Sequence, residues 1–399
     1  MADVFPLILG IIILLASVIS IKTGISVTVV EIAIGVIIGN LGFFHSESWM
    51  IYIASFGGIL LTFLAGIEID VDLMKDNFKE SFTIGFLSFL IPFVIVFLVT
   101  YYIIGWELNP ALLTSTALSE TSIAVVYSVL TQKGLFKYKI GKLIMVATFI
   151  TDICTAIALS VLFTKFDIYT LLFYVVSLAV LVMAYYRSDL FFENPLFKNK
   201  IGELEIKYVF VLLLGFIFFG SLGGGQAILP AFILGVILSD HFKNTQKGEV
   251  KARFKTVAFA IITPIFFIIG GMKVSIPLIY SCFGIFLTLF VLRQLSKYIG
   301  VYYPSKIFLK QNYNYVTMMM STGLTFGLVA AVFGLNNALI NQTEYSVITG
   351  ILVLSAILPT FVAEKYYTPV HSEDLGDWRL NYLQVSYNNF FFFNFILEI

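Results

Sequence analysis

The chain has 399 residues, of which 59% are apolar and only 12% are charged, and its formal net charge is zero. Soluble domains carry roughly 25% charged residues, so the surface of this chain is solvated by lipid rather than water. Zero net charge and the lack of a basic tract exclude an electrostatic nucleic-acid partner. The two cysteines, Cys154 and Cys282, lie in apolar runs and set up neither a metal spacing nor a disulfide framework.

A helical crossing needs about 20 mainly apolar residues. Thirteen stretches qualify in chain order: 5–21, 25–43, 49–69, 82–105, 109–131, 139–164, 168–186, 205–222, 226–240, 255–272, 276–302, 313–335 and 344–364. The first lacks a basic leader and a small-residue cleavage site, so it reads as a span and not a removable signal. Gly223-Gly224-Gly225 and Gly270-Gly271 read as flexible breaks between neighbouring spans. The expected organisation is a transmembrane domain over 1–365 and a short cytoplasmic tail over 366–399. That tail opens with His371, Glu373, Asp374 and Asp377, and its Phe390–Phe393 run is too short to cross a membrane.

Loop charge tests the count. With the N-terminus outside, twenty of the 24 basic residues fall in cytoplasmic segments. Only Lys165 and Lys273 fall outside, and Arg293 and Lys297 lie within a span. One miscounted span would invert every later loop, so the positive-inside rule supports thirteen crossings with the C-terminus in the cytoplasm.

Ionisable groups at membrane depth are costly, by about 2.5–3.5 kcal/mol at a helix centre on insertion scales. Taken along the chain, the first is Glu31 in the second span, suited to a helix–helix hydrogen bond or to an ion role. Glu68, Asp70 and Asp72 end the third span, as a solvated helix end or a funnel for cations. The fifth span holds Thr114, Ser115, Thr116, Ser119, Glu120, Thr121 and Ser122, six hydroxyls and one acid. Hydroxyls alone would serve helix packing. The acid adds a cation site, and local unwinding would add backbone carbonyls as ligands. Asp152 lies near the middle of the sixth span, with Thr148 and Thr151 offering oxygens beside it. The alternatives for it are a structural hydrogen bond and an ion or proton carrier, since a proton and a hard cation compete for the same oxygens. Arg293 and Lys297 stand four apart on one helical face of the eleventh span. Lys297 can snorkel to the interface, or one of the two neutralises a core carboxylate when no cation is bound.

These residues resemble the monovalent cation:proton antiporter superfamily, especially the bacterial and archaeal branch that includes sodium/proton antiporters and potassium efflux proteins. The resemblance runs from about residue 25 to 365. It is carried by Glu31–Gly39, by Leu60–Glu68 with its "LxFxAGxE" signature, by Ala117–Val126, by Ala231–Ser239 and by Pro264–Met272. It implies an all-α polytopic membrane protein of about 13 transmembrane helices, built as inverted repeats with a core and a dimerisation domain. Two broken helices, the fifth and twelfth spans, would cross near Asp152. Thr322, Gly323 and Thr325 would form the break in the twelfth. The transport aspartate of the family falls on Asp152. The residue before it is Thr151, unlike the Asp-Asp, Asn-Asp or Gln-Asp pairs of the known branches. Glu120 falls close to the Asp of the electroneutral Thr-Asp-Pro motif. The core lysine falls on Lys297, and Arg293 resembles the arginine of the electroneutral branch.

The expected function is secondary transport that exchanges Na⁺, or Li⁺, for H⁺ by alternating access. Asp152 and Glu120 would hold the metal cation, helped by Ser119, Thr121, Thr148 and Thr151. Exchange is expected to be electroneutral, because Thr151 replaces the second acid of the electrogenic pair. The expected partners are the transported ions, the lipid bilayer and a second copy in a homodimer, with no cofactor. A K⁺/H⁺ antiporter or potassium efflux system is the nearest alternative. A channel would need a filter-like repeat of backbone carbonyls. An intramembrane enzyme would need a motif such as His-Glu-x-x-His or Gly-x-Ser-x-Gly, and neither is present.

Overall fold

The computed structural model describes residues 5–369 except 24–25, 43–45, 70–77, 165–166, 189–191, 193–202, 224–225, 245–248, 310 and 368. Asp70, Asp72, Lys165, Gly224, Gly225 and nearly all of the 366–399 tail therefore lie outside the described residues. The described residues are helical, with no strand. In chain order the helices are α1 (Phe5–Thr23), α2 (Val27–Leu41), α3 (Ser48–Glu68), α4 (Phe78–Leu98), α5 (Leu108–Ser119), α6 (Ile123–Gln132), α7 (Lys139–Leu162), α8 (Ile168–Arg187) and α9 (Leu204–Gly223). They continue as α10 (Ile228–Asn244), α11 (Glu249–Val257), α12 (Thr263–Met272), α13 (Ile276–Ser281), α14 (Phe283–Phe308), α15 (Tyr313–Met320), α16 (Thr325–Asn336) and α17 (Gln342–Tyr366).

Among the described residues, eleven helical runs are long and apolar enough to cross a membrane, and Val27–Leu41 and Ile228–Phe242 are shorter apolar helices. Together they match the thirteen expected spans, with differences in detail. The eleventh span begins at Phe283, because Ser275 caps the separate one-turn helix Ile276–Ser281 before it. The tenth starts earlier, as α11, and passes through a π-turn at Ala258–Ile262 before Pro264. Proline has no N–H to donate; here the wider turn and the Thr263 hydroxyl, which donates to the Ala258 carbonyl at 3.2 Å, take up the disturbed ladder.

Gly270-Gly271 is not a flexible break. Both glycines are buried in the last turns of α12. The lack of a side chain at Gly271 serves close packing instead, as small residues do between membrane helices. A Cβ on Gly271 would lie 3.1 Å from the Cα of Gly35, and one on Gly35 would lie 3.1 Å from the Cα of Gly271. The same contact recurs between Gly66 on α3 and Gly235 on α10, at 2.9 Å and 2.8 Å. So α2 packs on α12 as α10 packs on α3. Exchanging the two halves of the chain maps one contact onto the other. The offset is seven spans, an odd number, so equivalent helices point in opposite directions. These are the inverted repeats. At their centre α4 packs on α14, and the broken helices α5–α6 and α15–α16 pack on each other.

Candidate functional site

The two breaks define the site. Residues Glu120–Ser122 leave the helix, with Glu120 in an extended conformation (φ −70°, ψ 164°). Residues Ser321–Leu324 do the same in the opposite repeat. Carbonyls at the ends of α5 and α15 therefore lose their helical partners. Arg293, fully buried on α14, takes them up. It donates to the Ser321 carbonyl at 2.7 Å and to the Glu120 carbonyl at 3.2 Å. A cation at two helix C-termini is also favoured by their dipoles. The Glu120 carboxylate lies instead beside the backbone of Leu324 and Gly327, at the N-terminus of α16, where a negative charge is favoured. Gly323 has no side chain because the guanidinium occupies that space: a Cβ there would collide with Arg293 and lie 3.3 Å from Glu120 Oε1.

Hydroxyls join the two breaks. Thr121 donates to the Met320 carbonyl at 2.9 Å, and Ser122 and Thr325 share a hydrogen bond of 3.0 Å. Thr322 donates to the Met319 carbonyl at 2.8 Å. On α7, Thr148 donates to the Ile144 carbonyl and Thr151 to the Thr148 carbonyl. Ser119 donates to the Ser115 carbonyl at 2.5 Å. Apart from the Ser122–Thr325 pair, each of these hydroxyls spends its proton on a backbone carbonyl and keeps its lone pairs as acceptors.

Asp152 is buried on α7, and its charge acts on Glu120 and Lys297 across the crossing. Neither oxygen of Asp152 has a described hydrogen bond, and the Glu120 carboxylate has no side-chain donor, only the backbone at the start of α16. Burying carboxylates so thinly partnered is costly. The two buried bases do not relieve it by ion pairing. Arg293 is spent on backbone carbonyls, and Lys297 donates to Ser88 at 3.1 Å and Thr121 at 2.9 Å. The sequence-predicted residues therefore come together around one crossing, with the bases holding neutral acceptors and the carboxylates left open. Among the described residues no cluster of three or more His, Cys, Asp and Glu exists. Two carboxylates among hydroxyls and carbonyls make an all-oxygen donor set suited to a hard cation or a proton. Sequence reasoning missed Ser88; its one signal is a hydroxyl in a mainly apolar span, and Thr83 and Thr100 share that signal.

A cavity reaches the breaks. A cavity of about 550 Å³ separates α1–α3 and α11–α12 from α6 and α16, and Thr325 and Ile123 on its wall adjoin the breaks. At its mouth, Lys251 pairs with Glu68 at 3.1 Å, and Lys255 contacts Glu68 and lies 4.9 Å from the Tyr127 ring centroid. Glu68 is thus paired with two lysines at this end. At the opposite end, α12 and the loop after it are stitched to α16 and α17. Tyr345 donates to the Gly270 carbonyl at 2.6 Å, Ser346 accepts from the Ser275 amide at 2.9 Å, and Lys273 donates to Asn336 at 2.9 Å. Gln342 donates to the Lys273 carbonyl.

An all-helical bundle with inverted repeats, crossed helix breaks and a cavity that reaches them defines a polytopic secondary transporter. Residues 9–364 match the family described as sodium/hydrogen exchanger, transmembrane, and the chain belongs to that family of transporters. A probable Na⁺/H⁺ antiporter 3 of Methanocaldococcus jannaschii is 28% identical over 361 residues, covering 86% of this chain and 90% of that protein. The Na⁺/H⁺-K⁺ antiporter GerN of Bacillus cereus is 24% identical over 355 residues, covering 86% and 90%. The structure of the sodium proton antiporter MjNhaP1 of Methanocaldococcus jannaschii at pH 8 shares the fold, with a TM-score of 0.68 and 16% identity over 88% of this chain and 98% of that one.

Proposed function

We propose that this antiporter exchanges Na⁺ for H⁺ at Asp152 and Glu120, with Ser119, Thr121, Thr148 and Thr151 supplying further oxygens. The observation that carries the reading is a pair of buried carboxylates at the meeting of two helix breaks, Asp152 with no described hydrogen bond and Glu120 with no side-chain donor. A cation or protons would satisfy them, and occupied states cross the membrane at lower cost than a doubly ionised one. Arg293 and Lys297 supply positive charge to the same crossing, and Thr322, Gly323 and Thr325 form its second break. Core helices α4–α7 and α14–α17 move against the scaffold of the remaining helices, opening the latched end as the cavity closes. On loop charge, the Glu68 end faces the cytoplasm, with the N-terminus outside and the C-terminus inside. A homodimer anchors the scaffold in the cell membrane. Exchange is electroneutral, because a single acid occupies the position before and at Asp152.

The test is proton flux in proteoliposomes driven by Na⁺, Li⁺ or K⁺, with and without a clamped potential. Asp152→Asn is expected to abolish Na⁺-driven flux. Full retention would refute the site, a response to potential would refute electroneutrality, and preference for K⁺ would favour the activity that the GerN name includes.

A further inference from the structure

Span α4 contributes nothing to the sequence signature, yet it lies between the aspartate helix and the lysine helix. On one side a Cβ on Gly85 would meet the Ala147 carbonyl at 2.5 Å and Ile150 Cβ at 2.8 Å, one turn before Asp152. On the other, a Cβ on Gly300 would meet the Leu87 carbonyl at 2.7 Å, one turn beyond Lys297. Two glycines thus bring three helices into backbone contact at the level of Ser88. Ser88 is fully buried. Most hydroxyls around the crossing donate to their own helix, as Ser115, Thr116 and Thr155 do. The described bond of Ser88 is different in kind, since it accepts from Lys297 Nζ at 3.1 Å.

We propose that Ser88 is a positioning residue for the exchange reaction: it holds the Lys297 ammonium against α4 so that the Asp152 oxygens stay open to the cation. The inference rests on the Asp152 site proposed above. An ammonium has three donors, and two of those of Lys297 are fixed by Ser88 and Thr121. Thr121 has its own proton committed to the Met320 carbonyl, so its lone pair faces the lysine. The two hydroxyls hold the amine without adding a charge. Without Ser88, the ammonium keeps one fixed acceptor and gains reason to turn to the carboxylate across the crossing, where it competes with Na⁺.

The experiment uses the full chain in proteoliposomes and reads the KM for Na⁺ separately from the maximal rate. Ser88→Ala is expected to raise KM by about tenfold, the worth of one charge-assisted hydrogen bond, with the maximal rate within about twofold. Ser88→Thr is expected to restore KM by returning the hydroxyl. A second readout is Na⁺-dependent thermal stabilisation of the purified protein. Ser88→Ala is expected to weaken it in the parent chain and to change nothing once Lys297 is replaced by Gln. If Ser88→Ala does not fold, Ser88→Cys keeps the volume, loses the strong acceptor and carries the same expectations. An unchanged KM, a loss confined to maximal rate, or no rescue by threonine would overturn the role of Ser88. Retained flux in Asp152→Asn would overturn the site itself, so the two failures are distinguishable.

Discussion

Arg293 donates to the backbone carbonyl of Glu120 at 3.2 Å and makes no ion pair with its carboxylate among the described residues. The arginine therefore acts first as a clamp on two broken helices, since its second bond goes to the Ser321 carbonyl. Removing it would leave two carbonyls unpaired in the core, at about 1–3 kcal/mol each. Arg293→Ala is expected to lower the thermal stability of the detergent-solubilised protein and to abolish transport. Arg293→Lys, with a single donor centre, should lie between Ala and the parent in melting temperature. Equal stability of all three would mean the clamp contributes nothing.

Gly323 provides a second test of that clamp. Its missing side chain makes room for the guanidinium, so Gly323→Ala is expected to destabilise the parent by about 1–3 kcal/mol. In the Arg293→Ala background the obstacle is gone, and the added methyl should cost far less. The readout is the double-mutant cycle in melting temperature. Additive losses would show that the two residues do not share that space.

The repeat contacts make a prediction about the scaffold. Gly66→Ala and Gly235→Ala each push a Cβ into backbone of the facing helix, whereas Gly10, Gly215 and Gly284 have nothing within 4 Å. The first two substitutions should cost about 1–3 kcal/mol of stability, and alanine at the other three should change melting temperature little. The comparison holds residue chemistry fixed and varies only what the new methyl meets.

Much of this was legible in the sequence, and the parts that were not have physical reasons. Span positions follow from hydropathy alone, and Asp152, Glu120 and the two bases stand out because charge at membrane depth is expensive. The breaks at Glu120 and Gly323 were legible as hydroxyl- and glycine-rich interruptions. Sequence spacing does not show which acceptor a base will choose. Snorkelling of Lys297 and neutralisation of a carboxylate by one of the two bases both fit the sequence; which acceptors Arg293 and Lys297 take, carbonyls and hydroxyls, is visible only in the structure. Gly270-Gly271 has the composition of a hinge but sits in a helix, because its use is set by α2, more than 200 residues earlier in the chain. Ser88 was invisible for the same reason: its hydroxyl is one of three in its helix, with Ser81 and Thr83, and is singled out only once Lys297 is placed beside it.

Lys273 sits just beyond the end of its span, and burial holds its ammonium below the usual lysine value. In the latched state it therefore binds its proton less tightly than when solvated. By linkage, protonation favours unlatching and rising pH favours the latched state, in the window between the lowered value and the ordinary lysine value. Accessibility of a reporter cysteine at Val329, on the cavity wall, should therefore rise as the Lys273 side is made more alkaline. Lys273→Gln should flatten that response. A response unchanged by the substitution would assign it to another group.

The latch itself can be tested by covalent closure. The Ser275 amide donates to the Ser346 hydroxyl at 2.9 Å, so the two positions adjoin and a cysteine pair there is the cross-link to test. One belongs to the loop that follows scaffold helix α12 and the other to core helix α17. If the two bodies separate at this end in each cycle, Ser275→Cys/Ser346→Cys should stop transport once oxidised. Reduction should restore it, in a background where Cys154 and Cys282 are serine. The cavity should stay open throughout, so the reporter at Val329 should remain reactive in the arrested protein. A control pair within one body should cross-link without loss of flux. Full activity in the oxidised Ser275/Ser346 pair, with the cross-link shown by mass spectrometry, would mean that the two helices stay together during exchange and that access changes somewhere else.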